Sequence, residues 1–254
     1  RGTLFIAAVG FTAAQRNDDI DRIVDAYSKV RMNPELFDGR KGWARFLDPA
    51  LMEAISHSQM TGSRTQIDSL LREETPGVYS FQLVSEEFCN KFLEELDHYY
   101  STGLPVSRPN SMNNYGIIVN HIGMKEAITW LQRHVLHPLS QILFPLQSKG
   151  GFHDHHSFMV QYKAGEDLGL DMHTDDSDVT FNICLGRNFT GASLTICGDS
   201  RMPQHRQFYK SYEHVRGRAL VHLGSRRHGA DDILTGERNN LIVWNHNHEY
   251  RSSA

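Results

Sequence analysis

One pair of residues in the sequence has the types and the spacing of a metal-binding motif. His173 and Asp175 are separated by a single residue in His173-Thr174-Asp175, directly before the apolar run at 179–185. On an extended stretch, side chains two residues apart point to the same side of the chain. Because so short a match also arises by chance, the residues around it decide its meaning.

A third ligand is expected from His228. It follows one predicted strand at 219–222 and precedes another that ends in Trp244. Two histidines and one carboxylate on one face of an iron ion, with the other positions open, are typical of non-haem Fe(II) oxygenases. The nearest alternative, His222, lies inside an apolar strand and fits better as a core histidine or as a residue that supports the ligands.

An arginine near this set predicts an anion site. Arg238 lies ten residues after His228, at the start of the apolar run 240–244, where its guanidinium would face the interior of a small barrel. A buried arginine requires an anion, and a carboxylate matches its planar fork. A dicarboxylate cosubstrate would offer one group to the metal and one to Arg238, and Tyr162 could donate a further hydrogen bond to it.

The elements that must position these residues change in character along the chain. A helix is predicted to open at Ser85 with an apolar face, and a second at about 124–143 with Pro138 interrupting it. A further helical stretch is predicted at 66–74. Beyond about residue 157, short β-rich runs separated by Gly, Asn and Asp indicate a sandwich or barrel, at 158–162, 179–185, 193–197, 219–222 and 241–244.

The composition excludes several classes of protein. The 254 residues include 26 Lys and Arg against 30 Asp and Glu, a formal charge of −4, which argues against nucleic-acid binding driven by bulk charge. Three cysteines without paired spacing form no disulfide framework. The longest apolar start, Leu4–Phe11, is too short for a membrane span and is expected to be a buried strand.

Taken together, these segments resemble the 2-oxoglutarate and Fe(II)-dependent oxygenases, in particular the branch of the prolyl 4-hydroxylases and lysyl hydroxylases. The resemblance covers the chain from about residue 76 to its end. It depends on the order and spacing of the matching segments, which are 158–162, His173-Thr174-Asp175, 179–186, 189–194 and His228-Gly229-Ala230 through Arg238 to Trp244.

The resemblance implies an α+β fold: a double-stranded β-helix (a jelly-roll, cupin-like core) with packed N-terminal helices. Residues 1–75 would form a helical extension and residues 76–254 the dioxygenase domain. The site residues that it implies are His173, Asp175 and His228 as catalytic iron ligands, Arg238 on the distal carboxylate of 2-oxoglutarate, and Tyr162 and Thr180 lining that pocket. The implied cofactors are Fe(II), 2-oxoglutarate and O2, with ascorbate left open as another.

The implied activity is hydroxylation of a substrate C–H bond, with release of succinate and CO2. The branch favours a prolyl or lysyl residue of a protein or peptide. A small-molecule substrate and a non-catalytic binding module are the alternatives, and Arg238 argues against a zinc hydrolase. Two departures leave details of cosubstrate binding open: Cys184 occupies a position where some prolyl hydroxylases have Tyr, and Ala192 one where a second Gly is expected. The sequence leaves the oligomeric state and the compartment open.

Overall fold

A computed structural model describes residues 13–253. Most helices precede the large strands, as the sequence predicts. The α-helices are α1 Ala13–Ser28, α2 Pro49–Thr61, α3 Thr65–Leu70, α4 Glu86–Ser101, α5 Lys125–Leu131, α6 His137–Leu143 and α7 His248–Ser253.

The strands form two antiparallel sheets. They are β1 Arg72–Thr75, β2 Val78–Gln82, β3 Gly116–Ile118, β4 Asp154–Lys163, β5 Leu170–His173, β6 Val179–Gly186, β7 Phe189–Gly191, β8 Leu194–Asp199, β9 Tyr209–Tyr212, β10 Arg218–Leu223, β11 Arg226–Ala230 and β12 Ile233–His246. The major sheet has the order β1-β2-β10-β6-β12-β4-β3, with β7 paired to β12, and the minor sheet has the order β5-β11-β8-β9.

Alternation along the central strands of the major sheet divides the molecule into layers. On β12, Leu241 and Val243 belong to the core that the helices share, whereas Ile242 and Trp244 belong to a second cluster, between the sheets. Strand β6 alternates in the same way, with Phe181 on the helix side. Because successive side chains of a strand point to opposite faces, the polar residues between these apolar ones face the minor sheet.

The helices cover the outer face of the major sheet. Ser85 caps α4 by accepting a hydrogen bond from the backbone N–H of Phe88, as predicted from its position before an amphipathic run. The predicted interruption at Pro138 is also confirmed: a π-helical turn at Gln132–Leu136 separates α5 from α6. Proline lacks an N–H and its ring crowds the preceding turn, so the wider turn accommodates it.

Some local features differ from the sequence prediction. Only 66–70 of the predicted helical stretch 66–74 is helical, because Arg72–Thr75 pairs with β2 as a strand. The strand predicted at 158–162 begins earlier, since residues 154–156 open strand β4. Strands β5 and β11 escaped prediction, although they hold His173 and His228. The expected strand at Leu4–Phe11 lies outside the described residues.

Residues on both sides of the expected domain boundary contribute to one apolar core. Trp43 and Leu51 belong to the same buried cluster as Phe88 and Phe181. The division at residue 75 stays a prediction. Within residues 13–253, no helix has the length and apolar character needed to cross a membrane.

His155 predicts how the stability of this helix–sheet junction depends on pH. Its ring lies between Ser157 Oγ, 2.7 Å from Nδ1, and Thr129 Oγ1 of α5, 3.0 Å from Nε2, and burial lowers its pKa to about 4. An unfolded histidine titrates near pH 6.5, so the folded state disfavours protonation, and stability is lost as the pH falls from 6.5 towards 4.

We therefore expect the cost of His155→Gln to depend on pH. At pH 7.5 the variant loses the full contribution of the neutral ring. At pH 5 the wild type itself is weakened, so the difference in unfolding free energy shrinks by about 2 kcal/mol. Urea unfolding of both proteins at the two pH values measures this, and an unchanged difference would contradict the argument.

Candidate active site

The two sheets bring the predicted metal-binding residues together. His173 ends β5 and His228 lies in β11, where the two residues are direct partners in the antiparallel pairing. Asp175 follows β5 in the loop that leads to β6. One imidazole or carboxylate atom of each of these three residues lies within 4.8 Å of those of the others.

Hydrogen bonds orient both imidazoles. His173 Nδ1 lies 2.7 Å from the carbonyl oxygen of Asp171, and His228 Nδ1 lies 2.9 Å from that of Arg226. A carbonyl oxygen only accepts, so each Nδ1 carries the proton and each Nε2 keeps its lone pair. These two Nε2 atoms lie 3.5 and 3.6 Å from Asp175 Oδ1. Such separations let one divalent ion contact all three atoms.

The Asp175 carboxylate is held in its charged form. Burial alone would raise its pKa, but His228, His173 and His222 together lower it well below the usual range. Its second oxygen, Oδ2, accepts a 2.7 Å hydrogen bond from Thr180 Oγ1. Thr180 lines the same pocket, as predicted, and in addition it orients the carboxylate. The charge therefore persists at neutral pH, in the form that binds cations.

His222, the alternative ligand, lies behind this set. Its Nε2 is 4.0 Å from Asp175 Oδ2, and burial lowers its pKa to about 4. Its ring is 4.7 Å from that of His228, measured between centroids. A neutral histidine at this position packs against the carboxylate and the second imidazole without adding charge.

Arg238 is completely inside the fold. It is 1% exposed, and no acidic side chain within residues 13–253 forms an ion pair with it. Its Nη1 donates to the carbonyl oxygen of Ala192, while its Nε has no partner in the described part of the chain. Because an arginine keeps its charge in proteins, this buried guanidinium lacks the counter-charge that burial demands.

Tyr162 lies beside this guanidinium. Tyr162 and Arg238 are opposite one another in the pairing of β4 with β12, and the Arg238 Cζ lies 4.4 Å from the centre of the Tyr162 ring. Both residues line one pocket with His173, Asp175 and His228. The structure thus brings all six sequence-predicted site residues into a single cavity.

Three asparagines that line this pocket were not predicted from the sequence. Asn110 and Asn113 come from the chain before β3, and Asn182 lies two residues after Thr180 on the same face of β6. The alternation along β6 contained the signal for Asn182, because an amide on the face that carries Thr180 interrupts an otherwise apolar strand. Asn113 had no local signal beyond the asparagine-rich run 110–114.

A family model supports the interpretation of this pocket. The model described as "OGFOD2-like domain" matches residues 23–149, which is half of the chain. The chain belongs to the OGFOD2-like family. The matched residues cover the helical half and precede His173, so the match decides the family and leaves the roles of the pocket residues open.

Curated relatives agree with this family. The chain is 35% identical over 204 residues to 2-oxoglutarate and iron-dependent oxygenase domain-containing protein 2 of Xenopus tropicalis, covering 78% of this chain and 58% of the relative. Identity to the multifunctional procollagen lysine hydroxylase and glycosyltransferase of Homo sapiens is 25%, over 82% of this chain and 28% of that protein. The chain spans about three fifths of the length of the oxygenase-domain relatives.

A solved structure confirms the fold class. A prolyl hydroxylase from Trichoplax adhaerens, in complex with a peptide fragment of the hypoxia inducible factor oxygen degradation domain, aligns with a TM-score of 0.52. The alignment covers 80% of this chain and 95% of that one, at 16% identity. The jelly-roll core with packed helices is therefore confirmed, and the oxygenase-domain relatives confirm the resemblance to the 2-oxoglutarate and Fe(II)-dependent oxygenases.

Proposed function

We propose that this chain is an Fe(II)- and 2-oxoglutarate-dependent oxygenase. The observation that carries the proposal is the pocket itself: three atoms that could bind one divalent ion share it with a buried arginine that has no carboxylate partner within residues 13–253. Neither the set of ligand atoms nor the buried arginine alone distinguishes this activity from others. A zinc hydrolase needs the ligands but no buried cation for a dicarboxylate, and a binding module needs neither.

The three donors fit Fe(II). Two neutral imidazole nitrogens and one carboxylate oxygen, all on one side of the ion, are the set associated with non-haem iron oxygenases. The carbonyl oxygens of Asp171 and Arg226 fix the ring orientations, and Thr180 fixes that of the carboxylate. Such supporting hydrogen bonds are typical of built metal sites.

The other end of the pocket fits 2-oxoglutarate. Arg238 would bind its distal carboxylate, which supplies the counter-charge that the fold lacks, while the 2-oxo acid end faces the metal ligands. When bound, Fe(II) and 2-oxoglutarate supply the chemistry that transfers oxygen from O2 to a C–H bond, with release of succinate and CO2. The chain itself holds both groups and keeps water away with apolar walls such as Phe158 and Ile242.

We further propose a prolyl or lysyl residue of a protein or peptide as the substrate. A groove opens directly beside His173, and its lining includes Met112, Leu168, Leu170 and Met172 together with Asp171 and Asp232. Similarity to a procollagen lysine hydroxylase and to a peptide-bound prolyl hydroxylase supports this substrate class. Succinate release in the presence of proline- and lysine-containing peptides, compared with free amino acids, tests it.

The cofactor proposal is tested by anaerobic titration with Fe(II) and 2-oxoglutarate. We expect a visible metal-to-ligand charge-transfer band in the wild type that disappears in His173→Ala. His153→Ala, a change in an exposed histidine outside the pocket, is the matched control and should keep the band. Metal binding without a band would favour the hydrolase, and no metal binding at all would favour the non-catalytic module.

A further inference from the structure

The chain between α4 and β3 passes over the pocket as a fixed loop. Asp167 accepts hydrogen bonds from the backbone N–H groups of Asn114 and Tyr115, at 2.7 and 3.2 Å, and from the Asn114 side chain, at 3.0 Å. Arg108 Nε donates to the carbonyl oxygen of Asn113, at 2.9 Å. These bonds hold Asn113, which is 1% exposed, against the cavity wall.

Backbone donors determine the direction of the hydrogen bonds that join Asn110, Asn113 and Tyr162. Asn110 Oδ1 accepts from the backbone N–H groups of Met112 and Asn113, both at 2.8 Å, so this atom is the amide oxygen. The Asn110 amino group then donates to Asn113 Oδ1, at 3.2 Å. The Asn113 amino group is left to donate to Tyr162 Oη, also at 3.2 Å. Reversal of any one of these bonds would place two donors or two acceptors against each other.

This chain of bonds assigns a role to the phenolic proton. The Tyr162 hydroxyl receives a hydrogen bond from Asn113, and no acceptor for its own proton lies among residues 13–253. Tyr162 is 3% exposed, and burial raises its pKa, so the proton stays on the oxygen. A buried hydroxyl that receives a bond and gives none is a donor directed at a ligand.

We propose that Asn113 is a positioning residue for the cosubstrate: by donating to Tyr162 Oη, it turns the phenolic proton towards the carboxylate that Arg238 binds. This inference rests on the proposed function, because it needs an anion at Arg238. It connects the loop before β3 to cosubstrate affinity. Tyr162 binds the ligand directly, and Asn113 acts through Tyr162.

The test is the dissociation constant of 2-oxoglutarate, measured by calorimetry on protein loaded with Mn(II), where no turnover occurs. We expect Tyr162→Phe to weaken binding about tenfold and Asn113→Ala about threefold to tenfold. Asn113→Asp keeps the size of the side chain but presents an acceptor, which captures the phenolic proton. It should therefore weaken binding at least as much as Asn113→Ala, although it fills the site better.

Two comparisons separate positioning from a general effect on the loop. Asn114→Ala, which removes a neighbouring side-chain bond to Asp167, is the matched control and should leave affinity within about twofold of the wild type. In a Tyr162→Phe background, Asn113→Ala should add less than about twofold. An undiminished effect in that background, or equal effects of Asn113→Ala and Asn114→Ala, would overturn the proposal. A wild type that binds Mn(II) but not 2-oxoglutarate would instead overturn the proposed function.

Discussion

Replacement of Asp175 by Ala is expected to lower 2-oxoglutarate turnover by at least about 1,000-fold, because it removes the one carboxylate of the proposed metal site. The first effect should be a lower metal content of the variant. Two neutral imidazoles remain, without the charge that balances a divalent ion. Metal content after anaerobic loading, together with succinate formation, measures both effects.

Asp176 provides the matched control for this change. It is the next residue in the same loop, it is exposed, and its carboxylate pairs with Arg251 at 2.9 Å, away from the pocket. Asp176→Ala should therefore retain metal and turnover close to those of the wild type. Full metal loading in Asp175→Ala, or equal losses of metal and turnover in the two variants, would show that Asp175 is not a metal ligand.

The contrast between these two neighbouring acids shows what the sequence could predict. The types and spacing of His173, Asp175 and His228 pointed to one cluster, and the structure places them together. The β-rich runs at 179–185 and 241–244 likewise predicted two strands, which lie in β6 and β12. These are local patterns, in which the two-residue period of a strand fixes the side of each residue.

The strands that carry the two histidines show why other features could not be predicted. β5 contains only Leu-Asp-Met-His, which is too short for its alternation to stand out, and β11 contains Arg-Arg-His-Gly-Ala, which has no apolar alternation. They are strands because β11 pairs with β5 on one side and with β8 on the other, and such pairing between distant segments leaves no trace in any one of them alone. The contact between Asn113 and Tyr162 is hidden for the same reason, since it joins residues 49 positions apart.

Replacement of Arg238 by Met is expected to separate the two ends of the pocket. Methionine keeps much of the length and removes the charge, so 2-oxoglutarate affinity should fall about 100-fold. Fe(II) affinity should stay unchanged, because Arg238 is not one of the proposed metal ligands. The 2-oxoglutarate affinity of Arg238→Lys should lie between those of the wild type and Arg238→Met, since lysine keeps the charge but lacks the planar pair of donors.

The same change should stabilise the ligand-free protein. Arg238 is buried without an ion-pair partner in residues 13–253, and its Nε forms no hydrogen bond there, so the fold bears the cost of an uncompensated charge until an anion binds. Replacement by an apolar side chain should raise the unfolding free energy by about 1 kcal/mol or more.

Thermal unfolding with and without 2-oxoglutarate tests this expected gain in stability. The wild type should gain stability from the ligand and Arg238→Met should not. A variant that is less stable without ligand, yet responds to 2-oxoglutarate as the wild type does, would show that Arg238 serves the fold and not the cosubstrate.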